Sequence, residues 1–320
     1  MPVDYCCGIG AKARLAVGPK GGTITRMDFI DFKPTRIIKS MSDLAAENTI
    51  RGELDPLDTD VGEGILFIFF RTRFYLTSAK MAVLLPLLGF TNSGGDTWVL
   101  GDALDQSTLI LGPGGSHEHT YDGIVPTDFV VAGQKGADPI IIDVGWIGRT
   151  FTPNPAGTFF VSQTNPAMTE GYIYPFGTGV NNVTGLTILN GVTVKFPQFH
   201  LSHNYHIVHE YLNSVNLTNA CPTRHDLRFA TSELFSTCDG TEAPFESAMA
   251  GSITGGALVL DFQTSLGSGQ ETKFTVANAK FIARPPLIRK PDFQRLPVNM
   301  KGYRTASTQM LTVLNKVNGV

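Results

Sequence analysis

The sequence predicts an all-β or β-dominated protein made of two tandem domains. Only 17% of the residues are charged, against about 25% in an average globular protein, while glycine (34) and phenylalanine (21) are common. Short strand-like runs alternate with turns rich in Gly, Pro and Asn. At 320 residues the chain exceeds the usual size of one domain, so we expect two domains with separate cores.

The two halves of the chain follow one plan. Residues 127–132 (TDFVVA) are echoed by residues 272–277 (TKFTVA). Each copy is followed by a turn with Pro or Gly and by a strand-like run that ends in Arg-Thr, over residues 140–150 and 296–305. Each copy is also preceded by a strand, a short helix and another strand. A repeat of this size indicates two copies of one domain, which favours a symmetric scaffold over a catalyst.

In the first half, residues 1–22 are Gly-rich and weakly patterned, so we expect an N-terminal arm there. A first domain over residues 23–150 then begins with one or two strands within residues 24–38, with Pro34 at a bend or an edge. Residues 41–63 hold seven acids, one Arg and no sustained periodicity. Such a segment predicts a long functional loop.

The next elements of the first half alternate between strands and one helix. Residues 64–76 predict a strand in which Ile65, Phe67 and Phe69 share one face and residues 70–73 turn towards a polar face. The other predicted elements are a helix over 79–85, capped by Thr77 or Ser78 and stopped by Pro86, two strands within 98–111, a turn at 112–115, and a hairpin of 128–132 with 140–147.

In the second half, a linker over residues 151–184 leads to a second domain over 185–310 and a C-terminal tail over 311–320. Residues 186–194 predict a β-hairpin around a type I′ turn at Asn190-Gly191, where both residues need positive φ. The other predicted elements are long strands within 194–217, a strand over 226–236, a short helix over 244–249, and a pair of strands over 257–264 and 271–283.

The histidines are the first candidates for a metal site. His200, His203, His206 and His209 recur every three residues in a strand-like segment. Side chains alternate between the faces of a strand, so this spacing sends successive histidines to opposite faces and disfavours a shared metal. His117 and His119 have the two-residue spacing of a shared face, but they follow a Gly-rich turn and are expected in a solvated loop. We therefore expect no bound metal.

The sequence also lacks the motifs expected for zinc binding, for a catalytic serine and for phosphate binding. Cys6 and Cys7 are adjacent, Cys221 and Cys238 stand alone, and no C-x-x-C spacing could hold zinc. The sequence has no G-x-S-x-G elbow and no P-loop, so we expect neither catalytic residues nor a cofactor. It also has no apolar run of about 18 residues and no signal-peptide pattern, which predicts a protein made in the cytoplasm and away from membranes.

Charge is distributed unevenly along the chain. Residues 1–40 hold seven Lys or Arg and three Asp, whereas residues 280–320 hold eight Lys or Arg and one Asp. These basic ends flank the acidic segment 41–63. Complementary patches steer association, so we expect the basic arms to lie against acidic surface on neighbouring copies. The alternative is that the basic ends are merely solvated; nucleic-acid binding is less favoured because the whole chain is slightly acidic.

The chain resembles the tail tube (major tail) proteins of long-tailed phages, in the subgroup with a duplicated tube domain. The resemblance covers roughly residues 40–310. It rests on Arg51-Gly52-Glu53-Leu54, the strand and helix that end in LLPLLG at 84–89, residues 128–150, the run 185–213 with its Asn-Gly hairpin, and the strand at Phe274. The histidine-rich strand and the long basic C-terminus depart from the family pattern.

The resemblance implies two tandem tail-tube β-sandwich or barrel domains, each with one short flanking helix. Copies would join edge to edge into rings whose inner sheets form a β-barrel around a channel, and stacked rings would form the tube of the virion. The tape-measure protein and duplex DNA would pass through it, and tail terminator and distal tail proteins would bind its ends. Two domains per chain favour trimeric rings with pseudo-sixfold symmetry over hexamers.

The resemblance also implies a contact between rings. The acidic loop lies where this fold carries its inter-ring loop, so we expect Glu53, Asp55, Asp58 and Asp60 to pair with Arg289, Lys290 and Arg295. The channel is expected to be polar and acidic so that duplex DNA slides without sticking. The alternatives are another tail component with the same fold, such as a distal tail or hub protein, and a His-rich metal-binding module.

Overall fold

The computed structural model describes the main chain of residues 13–43, 61–114, 117–134, 139–148, 150–161, 183–188, 192–193, 198–208, 221–222, 224–235, 255–263, 270–282 and 295–317. Within these ranges it contains twenty strands, one α-helix and one 3-10 helix, and the strand pairs are antiparallel. The predicted all-β class is therefore confirmed. No helix in the described ranges is long and apolar enough to cross a membrane.

Ten strands and the α-helix form the first half, which we call the first repeat. They are β1 (Arg14–Pro19), β2 (Thr25–Met27), β3 (Asp31–Asp43), β4 (Val61–Tyr75), α1 (Ser78–Leu87), β5 (Phe90–Gly94), β6 (Thr97–Leu100), β7 (Ser107–Gly114), β8 (His117–Gln134), β9 (Ile141–Gly148) and β10 (Thr150–Asn154). A 3-10 helix at Phe159–Val161 follows β10.

Ten further strands form the second half, which we call the second repeat. They are β11 (Val183–Ile188), β12 (Val192–Thr193), β13 (Gln198–Asn204), β14 (Ile207–Val208), β15 (Cys221–Pro222), β16 (Asp226–Phe235), β17 (Gly255–Gln263), β18 (Glu271–Ile282), β19 (Arg295–Gly302) and β20 (Thr312–Lys316). Residues 244–249, where a second helix was predicted, lie outside the described residues.

The strand pairing of the first repeat recurs in the second. In the first repeat β1 pairs with β2 and β7, β3 with β4, β4 with β9, and β8 with β7, β9 and β10. In the second repeat β11 pairs with β12 and β17, β13 with β16, β16 with β19, and β18 with β17, β19 and β20. The internal repeat is therefore a repeat of topology.

The register of this repeat differs from the one predicted. Residues 127–132 lie in the part of β8 that pairs with β9, whereas residues 272–275 pair with β20. By pairing, Glu118–Asp122 matches Glu271–Thr275, because the first segment pairs with β10 and the second with β20. The predicted match between TDFVVA and TKFTVA is wrong, since strand segments of similar composition fit any part of a sheet.

The two repeats share one core, so the expectation of separate cores is wrong. Strand β13 of the second repeat pairs with β8 of the first, and β20 pairs with β6. Buried side chains from both repeats, among them Phe70, Trp146, Leu201 and Phe274, belong to one hydrophobic cluster. Burial of this apolar surface is the main favourable term that holds the repeats together.

Helix α1 begins and ends close to its predicted bounds. The Thr77 side chain accepts a hydrogen bond from the Lys80 amide at 3.2 Å, as an N-cap should. Pro86 lies inside the helix, which contradicts the prediction that it stops there. A proline in the last turn removes only one intrahelical bond, and the Leu88 amide still donates to the Leu84 carbonyl at 2.9 Å. Gly89 follows the helix in the left-handed region, with φ of 75°.

A buried polar network ties α1 to the second repeat. The side-chain amide nitrogen of Asn315 on β20 donates to the Ser78 carbonyl at 2.9 Å. The side-chain oxygen of Asn315 accepts from the Thr272 hydroxyl on β18 at 2.8 Å. The Ser78 and Thr272 hydroxyls lie 3.3 Å apart. All three residues are buried, so these groups have replaced their hydrogen bonds to water with one another.

Several predicted boundaries are corrected. Residues 14–19 form β1, whose Leu15, Ala16 and Val17 are fully buried, so this part of the predicted arm is a core strand. Residues 312–316 form β20, so half of the predicted C-terminal tail is strand. Strands β3 and β4 extend into the predicted loop 41–63 up to the Asp43–Val61 pair, and residues 151–154 of the predicted linker belong to β10.

Side-chain alternation explains two further corrections. On β4, Phe70 and Thr72 face the core while Phe69, Arg71 and Arg73 face away, so the predicted break at residues 70–73 does not occur. Residues 112–114 belong to β7, so the predicted turn at 112–115 does not begin at residue 112. The predicted hairpins β8–β9 and β17–β18 are confirmed, as is pairing of β11 with β12 on either side of Asn190-Gly191, although these two residues lie outside the described ones.

We expect Asn315→Ala to lower the free energy of unfolding by about 1–3 kcal/mol, because the buried Ser78 carbonyl and Thr272 hydroxyl would lose their partner. Chemical denaturation of the purified protein measures this loss. Ser307→Ala, at an exposed position nearby, is the control and is expected to change stability by less than about 0.5 kcal/mol. Equal stability of the two variants would contradict the role of the network.

Candidate functional site

One sheet runs through both repeats and has a polar face. Its strands lie in the order β3, β4, β9, β8, β13, β16, β19 and β18, each pairing with the next. One face of this sheet packs on the core through residues such as Phe70, Val144, Phe129 and Leu201. Because side chains alternate along strands, the other face carries the intervening polar and charged residues. We call it the polar face.

In the first repeat, the polar face holds a network of four charged side chains. Arg71 on β4 reaches across β9 and donates to both carboxylate oxygens of Asp128 on β8, at 2.7 and 3.2 Å. Its Nε donates to Asp143 on β9 at 2.9 Å, and Arg73 donates to the same carboxylate at 3.1 Å. The bidentate geometry is the strong form of an Arg–carboxylate pair.

Gly145 allows this network to form. It lies on β9 directly between Arg71 and Asp128 in the ladder. A Cβ atom on Gly145 would fall 2.4 Å from Asp128 Oδ2 and 2.7 Å from Thr127 Oγ1. A larger residue would therefore displace the carboxylate. Partial burial by itself lowers the pKa of Arg71, but Asp128 and Asp143 outweigh it and raise the pKa above the ordinary value.

A shallow cavity of about 420 Å³ opens above Gly145. Its lining includes Phe69, Arg71 and the Thr127–Asp128 pair. Beside it, Val125 and Ile147 are buried against Phe69 and Ile207, which brings an apolar patch to the polar face next to the ion pairs. In this lining the Thr127 hydroxyl donates to Asp128 Oδ2 at 2.9 Å, and the same carboxylate is held by Arg71.

In the second repeat, the polar face is centred on Asp226. Its Oδ2 accepts from Arg228 at 2.8 Å, and its Oδ1 lies 3.3 Å from Lys301 Nζ. The hydrogen bond from Arg228 lowers the pKa of Asp226 below its ordinary value, Lys301 adds to this effect and burial opposes it. Tyr303 continues the face, with Lys280 Nζ 5.4 Å and Lys301 Nζ 6.0 Å from the centre of its ring.

The charges of the polar face are mostly paired. Among the charged residues of this face whose side chains are described are the cations Lys33, Arg71, Arg73, Arg228, Lys280 and Lys301 and the acids Asp31, Asp128, Asp143 and Asp226. Five of the six cations lie within 3.3 Å of a carboxylate oxygen. The charges named here are therefore not predominantly acidic.

The two repeats meet where β13 lies beside β8. Seven residue pairs, from Gln198–Gln134 to Asn204–Asp128, align these strands. Just beyond them, the Tyr205 amide donates to the Thr127 carbonyl at 3.0 Å, and the buried Tyr205 hydroxyl donates to the Leu88 carbonyl at the end of α1 at 2.6 Å. We call this contact the repeat junction.

A buried histidine pair lies at the repeat junction. His203 is fully buried on β13, stacks on Phe129 of β8 with ring centroids 5.4 Å apart, and has its Nε2 3.2 Å from Nδ1 of His225. His225 Nε2 lies 3.7 Å from Asp102 of the first repeat. His203 Nδ1 is buried with no hydrogen-bond partner among the described residues. Burial, together with His225, lowers the pKa of His203 to about 3.

The histidine predictions have a mixed outcome. His200 is exposed and His203 buried on β13, as the three-residue spacing predicts. His206 follows β13 with φ of 45°, and His209 lies outside the described residues. His117 and His119 begin β8, so the predicted loop is wrong there; the ring of His119 packs edge-on against Phe151 at 5.3 Å. Within the described residues no group of three or more His, Cys, Asp or Glu could hold a metal ion.

The residues predicted to join rings are not brought together in the described part of the chain. Glu53, Asp55, Asp58, Asp60, Arg289 and Lys290 lie outside it. Arg295 begins β19, where it is opposite Phe235 of β16. The acidic segment 44–60 connects the last described pair of β3 and β4, Asp43 with Val61. Cys6, Cys7 and Cys238 are also outside the described residues.

Sequence reasoning missed the polar-face residues. Arg71 and Arg73 alternate with core residues on a strand, which is a recognisable signal. Their partners Asp128 and Asp143 are more than 50 positions away, so the pairing follows only from the order of the strands. A scan against protein-family models found no matching family, and a search of curated proteins found no similar sequence.

We expect Gly145→Val to destabilise the protein by about 1–3 kcal/mol, because the added side chain would collide with Asp128 and separate it from Arg71. Thermal or chemical unfolding measures the change. Ser202→Val, a β-branched substitution on the same face of β13, is the control and is expected to cost less. A Gly145→Val protein as stable as the control would show that the carboxylate position is not constrained.

His203 predicts a loss of stability in acid. Its folded-state pKa is depressed, so its neutral form supports the fold at pH values above the unfolded-state pKa of about 6.5, and this support falls as the pH drops towards 3. Between pH 7 and 4.5 we expect a loss of about 2–3 kcal/mol from this group. Urea unfolding at several pH values measures it. His203→Phe should flatten the curve in this range, and His117→Gln, at an exposed histidine, should leave it unchanged.

Proposed function

We propose that this chain is a structural subunit of a tube, as in the tail tubes of long-tailed phages. Copies would close into rings, and stacked rings would enclose a channel for a tape-measure protein and duplex DNA. The observation that carries the proposal is the repeated strand pairing, in which one strand of the second repeat, β13, completes the sheet edge of the first. The family resemblance of the sequence points in the same direction.

The edge of β3 supports ring formation. Strands β3 and β13 hold equivalent places in the two repeats. Strand β3 pairs with β4, which pairs with β9, and β13 pairs with β16, which pairs with β19. On its other side β13 pairs with β8, whereas β4 is the only partner of β3 in the described part of the chain. A long unpaired edge of this kind must be protected or paired. A second copy can pair it as β13 pairs with β8.

Head-to-tail pairing of this kind generates a ring when the rotation closes. If the angle between chains matches the angle between the repeats, three chains supply six repeats and the ring has pseudo-sixfold symmetry. The eight strands of the shared sheet would then pass from chain to chain around the channel. We therefore favour trimeric rings, with hexameric rings as the alternative.

The polar face suits a channel lining. Its cations are mostly paired with carboxylates, so few phosphate-binding charges are available, and binding of nucleic acid through counterion release would be weak. The acidic segment 44–60 joins β3 to β4 in the sequence, and contact of this segment with an adjacent ring is part of the proposal. Pairing of Glu53, Asp55, Asp58 and Asp60 with Arg289, Lys290 and Arg295 remains part of this proposal.

Electron microscopy of the purified protein tests the proposal. We expect hollow rings or tubes in end-on averages, and native mass spectrometry of single rings should give three chains each. Single rings that never stack would favour a distal tail or hub protein. Compact monomers under all assembly conditions would contradict the structural role, and stoichiometric zinc in the purified protein would then favour the metal-binding alternative.

The polar face also predicts weak affinity for DNA. In a mobility-shift assay with duplex DNA at physiological salt, we expect no complex at micromolar protein, because five of the six cations named for this face are paired. Replacing Asp128 and Asp143 by Asn would release Arg71 and Arg73 and should increase DNA binding at low salt. Tight binding by the unmodified protein would contradict a channel through which DNA slides.

A further inference from the structure

Strands β10 and β20 hold equivalent places in the two repeats. Thr150 to Asn154 of β10 pair with Asp122 to Glu118 of β8, and Thr312 to Lys316 of β20 pair with Thr275 to Glu271 of β18. Both are five-residue strands that pair with the first part of the equivalent long strand. Glu118 and Glu271, at the ends of the two ladders, are both buried.

Strands β10 and β20 differ at their second edge, which is the edge that points away from β8 and from β18, respectively. The second edge of β20 pairs with β6 of the first repeat, at Thr312–Val99, Val313–Trp98 and Leu314–Thr97. Two further backbone bonds extend this contact, from the Leu100 amide to the Leu311 carbonyl at 3.1 Å and from the Asn315 amide to the Asp96 carbonyl at 2.8 Å. Among the described residues, β8 is the only strand that pairs with β10.

The burial of the two strands differs accordingly. On β20, Val313 and Asn315 are buried, since β6 and α1 of the other repeat cover them. On β10, Thr150, Thr152, Pro153 and Asn154 are exposed. Phe151, which takes the place of Val313, is half-buried and packs against Tyr121 with ring centroids 5.2 Å apart. The first repeat therefore lacks the cover that the second repeat receives.

We infer that the second edge of β10 binds a strand from another copy of this chain, in the place that β6 occupies beside β20. This inference rests on the proposed ring. A single neighbour explains both contacts, because β13 and β20 both belong to the second repeat and both pair with the first. By the same geometry, β3 and β10 of one chain both pair with the second repeat of the next.

The contact at β10 is separate from the contact at β3. Strand β3 lies at the end of the shared sheet, whereas β10 lies in the smaller sheet of the first repeat with β1, β2, β7 and the start of β8. Two separate strand pairings at one chain–chain contact would fix both the angle and the tilt between neighbours. A contact through β3 alone would leave the chains free to twist about that strand.

Amide hydrogen exchange on the native protein, as monomers and as assembled rings, tests the inference. We expect the amides of residues 150–152 and 154 that point away from β8 to exchange at least about tenfold more slowly in rings, since new backbone hydrogen bonds protect them. Pro153 has no amide hydrogen and gives no signal. Residues 312–316 serve as an internal reference, because their second edge is already paired with β6 in the monomer. Rings in which these amides of β10 exchange as fast as in monomers would overturn the inference and leave the proposed function standing.

A pair of variants provides a second measurement. Phe151→Asp places a charge at the proposed contact and should raise the concentration needed for ring formation at least about tenfold, because an unpaired charge is costly to remove from water. Val161→Asp, at a side chain that is 78% exposed and outside β10, should assemble as the native protein does. Native-like assembly of a folded Phe151→Asp protein would overturn the inference. Failure of the native protein to form rings would overturn it together with the proposed function.

Discussion

The fold depends on one constraint, which is that each strand edge has to find a partner. Within the chain this is met at the repeat junction, where β13 pairs with β8, and at a second contact between the repeats, where β20 pairs with β6. The shared core, the Asn315 network and the buried His203–His225 pair all lie around these two pairings. In the described chain β3 and β10 have one strand partner each, as do β2, β5 and β12. The proposed assembly pairs the free edges of β3 and β10.

The polar face shows how a sheet can carry many charges without presenting a bare cationic surface. Arg71 and Asp128 meet across an intervening strand because Gly145 has no side chain there. Asp143 and Asp226 each serve two cations. Such networks set the position of the side chains as much as they stabilise the fold, since ion pairs that are partly open to water contribute little free energy. A face of this kind suits passage of a polyanion better than its capture.

The sequence allowed the fold class and several elements to be predicted from local signals. The Thr77 cap, the hairpins β8–β9 and β17–β18, and the opposite faces of His200 and His203 all follow from short-range patterns. What it did not predict depends on long-range pairing. The ends of the chain look weakly patterned, yet β1 and β20 are central because strands distant in sequence cover them. The Arg71–Asp128 pair was missed for the same reason, and the register of the repeat was misplaced because similar strand compositions recur along β8.

A cryo-electron microscopy map of an assembled ring tests the central claim most directly, if its resolution separates adjacent strands. The account predicts that β3 of each chain lies beside a strand of the neighbour's second repeat, so that the shared sheet continues from chain to chain with its polar face towards the channel. A ring in which β3 faces solvent, or in which the polar face lies on the outside, would contradict the account.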